Sequence, residues 1–494
     1  MTSIPFISLD ERSPAPIYRQ IYEAIRRAIL TGQFESGLRL PASRLLAEQL
    51  GVSRMTVMSA YEQLFAEGYL EGKIGSGTFV ASHLPEDFLQ LPNGSKKDER
   101  SAASRRRLKL SEYGNYLQDR SVVIRRNHSA TDFVPFQHGI TAIDKFPFEI
   151  WSKIALRHLK YTQPVTLGYG ESGGLRPLRD AIAEHLRSAR GVQCEWGQVI
   201  VTNGAQQALD LIGRVLLNPR DKILIEDPGY LGARDILAAS GAEMVPVPLD
   251  SEGIDLKRAS HLRNVRLAYV TPSHQFPLGG TMSLPRRLQL LEWARDKEAW
   301  IIEDDYDSEF RYAGRPLASL QGLDRDGRVI YIGTFSKTIY PSLRLGCVVV
   351  PADLADIFTA ARALSDLHSP LIDQSILAEF IAEGHYARHL RRMRTLYSSR
   401  QEILLAETEK HLSGLLEITK ADAGMHLIGW LPTGVDDQTV SRQLKERGVR
   451  AAAVSRYCIE KPKRGGLLLG YTAFNEKQIR AGIKILYDVL QRSK

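Results

Sequence analysis

RVIYIGTFSKTIYPSLRLGCVVVP, Arg328 to Pro351, sets two β-branched runs on either side of a turn that carries Lys337. The runs RVIYIGT and GCVVVP, bounded by turn residues, read as strands. The turn between them, TFSKTIYPSLRLG from Thr334 to Gly346, puts one lysine beside the hydroxyls of Thr334 and Ser336 and ahead of Arg344. Taken alone, a lysine there is a solvated charge. Working outward, the same kind of run recurs as QVIVTN, DKILIED, RLAYVTP and AWIIEDD, with helical patterns between. That alternation predicts an α/β domain over 131–494, a mostly parallel sheet with helices on both faces, with a smaller α+β lobe from about Pro370.

The chain has 494 residues, 43% hydrophobic and 25% charged, enough for two to four domains and a large core. It has no apolar run of membrane-spanning length, and MTSIPFISLDERSPAP does not lead from a basic stretch into an apolar one, so a cytoplasmic protein with no membrane association is expected. Cys194, Cys347 and Cys458 are too few and too scattered for a disulfide framework or a zinc site, and no metal is expected. Of the net charge of +8, an excess of six positive charges lies between Lys96 and Arg126. Residues 81–130 therefore read as a flexible basic linker, with room for one short helix. Fully flexible, fifty residues span roughly 40 Å end to end.

Residues 1–80 are helical at first. IYRQIYEAIRRAIL has apolar residues at helical spacing; LPASRLLAEQLGVSRMTVMSAYEQLFAEGYL then divides at Gly51 into two short helices, with Ser43 and Ser53 as their caps. LEGKIGSGTFV follows as a two-stranded wing. A winged helix-turn-helix puts the start of its second helix against base edges in the major groove, here Ser53, Arg54, Thr56 and Val57. Arg54 is suited to guanine, Ser43 and Arg44 to phosphate, and the wing residues Lys73, Ser76, Gly77 and Thr78 to the flanking backbone. The segments PIYRQIYEAIRRAILTGQF, LPASRLLAEQLGVSRMTVMSAYEQLFAEGYL and GSGTFV resemble the GntR family of bacterial repressors. Double-stranded promoter DNA is the partner this implies.

Pyridoxal 5'-phosphate chemistry needs a lysine amine, a carboxylate for the pyridine nitrogen, a phosphate cradle and an aromatic face. Each has a candidate. Asp304 ends the strand AWIIED, and Tyr306, two residues on, is placed for the cofactor's phenolate oxygen. In VTNGAQQALDLI, the amides of Gly204, Ala205 and Gln206 open a helix suited to an anion, with Thr334, Ser336 and Arg344 to complete the site. Tyr230, in EDPGY, is positioned to stack on the ring.

LGYGESGGLRPLRDAIAEHL, TNGAQQAL, EDPGY, TPSHQFPLGG, IIEDDYDSEF and TFSKTIYPSLRLG together resemble the fold type I aminotransferases. The resemblance implies that Lys337 carries the internal aldimine, that Asp304 pairs the pyridine nitrogen, that Arg344 binds phosphate, and that Tyr169 reaches the phosphate of the other subunit. The chain departs from those enzymes in two places. Phe276 stands where many have the asparagine that holds the cofactor oxygen, leaving Gln275 or His274 as substitutes. Leu468 stands about where they carry the arginine for a substrate α-carboxylate, leaving Arg456 as the candidate for a ligand carboxylate.

The two halves joined by a long linker resemble the MocR family of regulators. That resemblance implies a head-to-tail homodimer whose DNA binding responds to pyridoxal 5'-phosphate or to a small amine or amino acid, with at most residual half-transamination. A working aminotransferase with an accessory DNA-binding domain is the alternative, and sustained amino transfer is what separates the two.

Overall fold

The computed structural model describes residues 7, 9–10, 13, 15–73, 77–84, 109–128, 133–161, 164–259, 261–314 and 318–492. The chain divides into two compact units, Met1–Leu108 and Lys109–Lys494.

In the first unit the helix Ile17–Leu30 buries Ile21, Tyr22, Ile25, Ala28 and Ile29, one face of a 3.6-residue repeat. They pack with Leu46, Val57, Ala60, Tyr61 and Leu64 from the next two helices, Ser43–Leu50 and Arg54–Ala66. Each buried aliphatic side chain of this kind contributes about 1.5–3 kcal/mol. Gly51 closes the first of those helices at φ 68°, a left-handed conformation that favours glycine. Ser53 caps the second, its side chain accepting from Thr56 N at 3.1 Å. Ser43 differs from its expected role: Ala42 is the N-cap, Ser43 is already helical, and its hydroxyl accepts from Arg54 Nε at 3.4 Å. Strands β1 (Leu70–Lys73) and β2 (Gly77–Val80) pair antiparallel as the wing, Lys73 opposite Gly77; Ser76 lies outside the described residues.

The second unit is built on an eight-stranded sheet. Its strands are β3 (Val199–Thr202), β4 (Lys222–Asp227), β5 (Glu243–Asp250), β6 (Gly253–Ile254), β7 (Val265–Val270), β8 (Trp300–Asp305), β9 (Val329–Thr334) and β10 (Gly346–Val349). They lie in the order β3-β10-β9-β8-β7-β4-β5-β6. Strands β9, β8, β7, β4 and β5 run parallel; β10 is antiparallel to both β9 and β3. The C-terminal ends of β3, β4, β7, β8 and β9 therefore share one edge, and β10 begins there, Gly346 lying opposite both Thr202 and Thr334. Ligands bind open α/β sheets at this edge.

The central strands are buried along their length, so they read as apolar runs rather than alternating ones. Successive side chains still point to opposite faces, which separates Asp304 from Asp305. Asp305 turns to Arg190, whose Nε donates at 2.8 Å, and accepts from Tyr331 at 2.7 Å. Burial pushes the Asp305 carboxyl up, but Arg190 and these hydrogen bonds prevail and hold it below the ordinary value.

The smaller lobe carries an antiparallel sheet in the order β11-β12-β14-β13: β11 (Glu417–Ile418), β12 (His426–Trp430), β13 (Ala452–Ala453) and β14 (Gly466–Gly470). The helix His385–Leu412, 28 residues and about 42 Å long, packs against the helix Glu476–Gln491 beside it. Cys194 and Cys347 are buried and Cys458 is partly so; all three are free thiols. Among the described residues no helix is long and apolar enough to cross a membrane.

In the linker, residues 85–108 and 129–132 lie outside the described residues, while Glu112–His128 is a 17-residue helix belonging to the second unit. Tyr116 Oη donates to Asp235 O at 2.8 Å, and Arg120 pairs with the Asp235 carboxylate at 2.5 Å. A fifty-residue flexible tether is thus too long an estimate, because seventeen of its residues are helical.

Candidate cofactor pocket and nucleic-acid interface

Asp304 enters the pocket from β8, only 4% exposed. Its Oδ2 accepts from Tyr269 Oη at 2.7 Å; its Oδ1 is buried with no hydrogen-bond partner. Burial pushes the carboxyl from 3.8 to about 6; the Tyr269 hydrogen bond opposes the rise, and Asp305 and Asp307 reinforce it. An orphaned carboxylate oxygen of this kind needs a charged N–H opposite it.

Lys337 follows β9 by three residues, and its Nζ donates to Gly139 O at 2.9 Å. Burial lowers its pKa, against the pull of Asp307 and Asp304. An amine held this way loses its proton more readily than a surface lysine does and is a better nucleophile. Gly139 sits at φ 76°, a left-handed conformation that favours glycine, and a Cβ there would lie 2.7 Å from Lys337 Nζ and displace it.

The helix Ala205–Leu216 starts from Gly204 at φ 90° with no side-chain cap, so its first amides are open to an anion. The Arg344 guanidinium lies beside it, 3.2 Å from where a Gly204 Cβ would be, and donates to Asn203 O at 2.7 Å. Ser336 Oγ is buried without a partner, and Thr334 Oγ1 accepts from Ser336 N at 3.2 Å. An uncapped helix start, an unpartnered hydroxyl and a guanidinium fit a phosphate; the bare Asp304 oxygen fits a pyridine N–H. The residues present fit pyridoxal 5'-phosphate.

Tyr230 accepts from Gln206 Nε2 at 2.9 Å, which holds its ring over the start of the same helix. Tyr306 Oη lies 2.9 Å from His274 Nδ1, which also meets Asp307 at 3.0 Å. Phe276 fills the middle of an aromatic cluster, edge-on to Tyr230, Tyr306, His426 and Tyr457. Gln275 and His274 part company. The Gln275 amide is committed elsewhere, donating to Pro228 O at 2.9 Å in the connection after β4 and to Phe276 O at 2.6 Å, and accepting from Leu278 N at 3.0 Å. His274 stays with Tyr306, its Nε2 buried and unpartnered.

Leu468 is fully buried among Phe276, Ile428, Val454 and Tyr457, an apolar wall. Arg456 is exposed on the turn Val454–Tyr457. His138, hydrogen-bonded to Tyr457 Oη at 3.3 Å, is pushed down to about 3 by burial and then by the charges of Lys337 and Arg456. His138 and Asp307 left no signal in the sequence, whereas Tyr306 and His274 were candidates there without any sign that they meet. Tyr169 is 89% exposed, its ring against His368.

On the first unit, Arg54 and Thr56 stand at the open start of the second helix, with Ser43 beside Arg54. Arg44, Ser53 and Gly77 are exposed as well. Val57 differs from its expected role: it is fully buried, because it lies on the helix face packed against Ile21 and Leu46. Met55, 68% exposed, takes the outward position instead. Arg39 was not anticipated; it bridges to Phe79 and its guanidinium lies 3.0 Å from the site of a Gly77 Cβ, on the wing.

Residues 141–467 match the family described as aminotransferase class I and II, and residues 17–80 match the bacterial regulatory proteins of the gntR family. The chain is 41% identical over 478 residues to the probable rhizopine catabolism regulatory protein MocR of Rhizobium meliloti, covering 97% of this chain and 94% of that one. It is 33% identical to the pyridoxine biosynthesis transcriptional regulator PdxR of Corynebacterium glutamicum, covering 96% of each. Among solved structures it resembles the α-aminoadipate aminotransferase LysN of Thermus thermophilus, complexed with N-(5'-phosphopyridoxyl)-L-leucine, with a TM-score of 0.70 and 28% identity over 78% of this chain and 97% of that one.

Proposed function

The chain belongs to the MocR-type transcription regulators, DNA-binding proteins dependent on pyridoxal 5'-phosphate, and from that premise we propose that Lys337, Asp304, Ser336 and Arg344 hold the cofactor while Arg456 receives the acid group of an amine effector. The observation that carries this reading is the bare Asp304 Oδ1, buried beside a lysine whose amine is disposed to lose its proton. When bound, the cofactor supplies an aldehyde that captures primary amines. The protein's own part is to place its groups. Asp304 would hold a negative charge for the ring nitrogen, Tyr230 would cover the ring, the Ala205–Leu216 helix and Arg344 would neutralise the phosphate, and Lys337 would be the protein's own amine for the aldehyde.

His274 is the group that orients Tyr306, since Gln275 is occupied elsewhere. Leu468 weighs against routine turnover of α-amino acids, because a buried apolar side chain packed on Phe276 and Tyr457 offers an α-carboxylate no partner. Arg456 suits an acid group further from the amine. The effector is then a small amino acid or amine, and the protein acts where promoter DNA is, in the cytoplasm.

A second copy of this chain completes the arrangement. Leu156, Leu159, Tyr161, Leu167 and Tyr169 are all exposed within fourteen residues, and exposed apolar side chains of this kind mark interaction surfaces where they are contiguous. A head-to-tail homodimer covers that band and gives Tyr169 a pocket to reach, that of the partner subunit. The test is the visible absorbance of the protein with pyridoxal 5'-phosphate. A band lost in Lys337→Ala, and shifted by an added amine in the native protein, supports the reading; a band unchanged in Lys337→Ala overturns it. Sustained amino transfer to a 2-oxo acid would favour a working enzyme instead.

A further inference from the structure

Arg456 sits on a turn that is held from both sides by buried carboxylates. On the near side Asp437 accepts from Ser455 N at 3.0 Å, from Ser455 Oγ at 2.5 Å and from Gly466 N at 3.1 Å. Asp437 belongs to the same smaller lobe as the turn. On the far side the carboxylate comes from elsewhere. Asp227, the last residue of β4 in the large sheet, accepts from Ile459 N at 2.7 Å through Oδ1 and from Glu460 N at 2.9 Å through Oδ2. Gly229 N, two residues on, donates to Tyr457 O at 3.1 Å. The connection that leads from β4 to Tyr230 is thus laced to the turn that carries Arg456.

This connection has little freedom to adjust. A Cβ on Gly229 would lie 2.2 Å from Glu226 O, and one on Gly232 would lie 2.2 Å from the Gln206 amide that holds Tyr230. The turn also reaches back toward Lys337: Tyr457 Oη meets His138, and the next residue, Gly139, accepts from Lys337 Nζ. Two contacts, Tyr457 with His138 and Gly139 with Lys337, therefore connect the turn that carries Arg456 to the amine of Lys337. A ligand with an amine at one end and an acid at the other has a partner for each.

We propose that Asp227 is a positioning residue for the acid group of the effector: by tying the Arg456 turn to the large sheet, it sets the distance from Arg456 to the amine-capturing Lys337. This rests on the reading of Arg456 given above. Ile459 and Glu460, whose amides donate to Asp227, are exposed residues and the two hydrogen bonds are only part-buried, so losing the carboxylate costs the fold little. Geometry is what changes.

The experiment titrates the cofactor-loaded full chain with ω-amino acids of three to five carbons and with the matching alkylamines, following absorbance. Asp227→Asn keeps the shape but replaces one acceptor with an N–H donor facing an N–H. The amino acids are expected to bind about ten-fold more weakly, equivalent to about 1.4 kcal/mol, while the alkylamines and the cofactor itself bind as before. Ile459→Pro removes one of the amides that Asp227 accepts from, next to Cys458, whose φ of −87° and ψ of 143° already suit a following proline. It is expected to give the same pattern. Equal weakening of amines and amino acids, or no weakening of either, overturns the proposal. Arg456→Ala separates the two levels. If it leaves amino-acid binding intact, the Arg456 reading itself is wrong; if it weakens binding while Asp227→Asn and Ile459→Pro do not, only the positioning role is wrong.

Discussion

Replacing Asp304 by asparagine should make the ligand-free protein more stable and the loaded one harder to form. Burial moves the Asp304 carboxyl from 3.8 to about 6, a cost of about 3 kcal/mol to the ionised form. A group raised on folding contributes its stability below its unfolded value and loses it as pH rises through the folded one. At pH 8 the native protein therefore bears the whole cost, and at pH 5 about half of it. Asparagine never ionises, and its carbonyl can still accept from Tyr269 Oη, but its second N–H enters a buried spot without a partner and takes back about 1 kcal/mol. The expected balance is about 2 kcal/mol of added stability at pH 8, shrinking to about 0.5 kcal/mol at pH 5. Loading should move the other way. A hydrogen bond to a charged group is worth about 1.5–3 kcal/mol, so cofactor affinity should fall by about ten- to a hundred-fold. Urea unfolding of the ligand-free protein at the two pH values, with a pyridoxal 5'-phosphate titration at pH 8, measures both. An Asp304→Asn protein that is less stable at pH 8, or that binds the cofactor as tightly as before, refutes the reasoning.

Two further perturbations have definite outcomes. Arg54→Ala should cost about 1–3 kcal/mol of specific DNA binding and relax preference at one base pair, read by fluorescence anisotropy on a panel of single-base variants; a uniform loss across the panel would make Arg54 a phosphate contact instead. Asp235→Ala removes the carboxylate that pairs with Arg120 at the linker helix, a partly exposed contact worth at most about 1 kcal/mol. Hydrogen exchange over residues 116–120 should quicken while global unfolding stays unchanged, and unchanged exchange would mean that this pair does not hold the helix.

What the sequence disclosed and what it withheld divide along contact range. The β-branched runs and the glycine stops are local signals, and they located β3, β4, β7, β8, β9 and β10 and the helix-turn-helix, because a buried parallel strand and a capped helix each leave a periodic trace. Lys337, Tyr230 and Gly204 stood out as candidates because each follows a strand, and Asp304 because it lies near the end of one, on the same edge. Ser43 was misread as a cap because its hydroxyl serves Arg54, eleven residues away. Val57 was misassigned to the DNA face because spacing from the helix start does not reveal which side meets Ile21. The commitment of Gln275 to Pro228, the meeting of His138 with Tyr457 and the grip of Asp227 on Ile459 join residues 47, 319 and 232 positions apart, and no periodicity records such pairs.

The central claim, that cofactor occupancy at Lys337 governs DNA binding, is tested most directly by the affinity of the full chain for its own upstream DNA at one fixed salt concentration, with and without pyridoxal 5'-phosphate, in the native protein and in Lys337→Ala. Coupling between two sites of this kind is typically about five-fold or more. The account predicts that added cofactor changes the native affinity by at least that factor and leaves Lys337→Ala unmoved. A native protein whose DNA affinity is the same with and without the cofactor would contradict it.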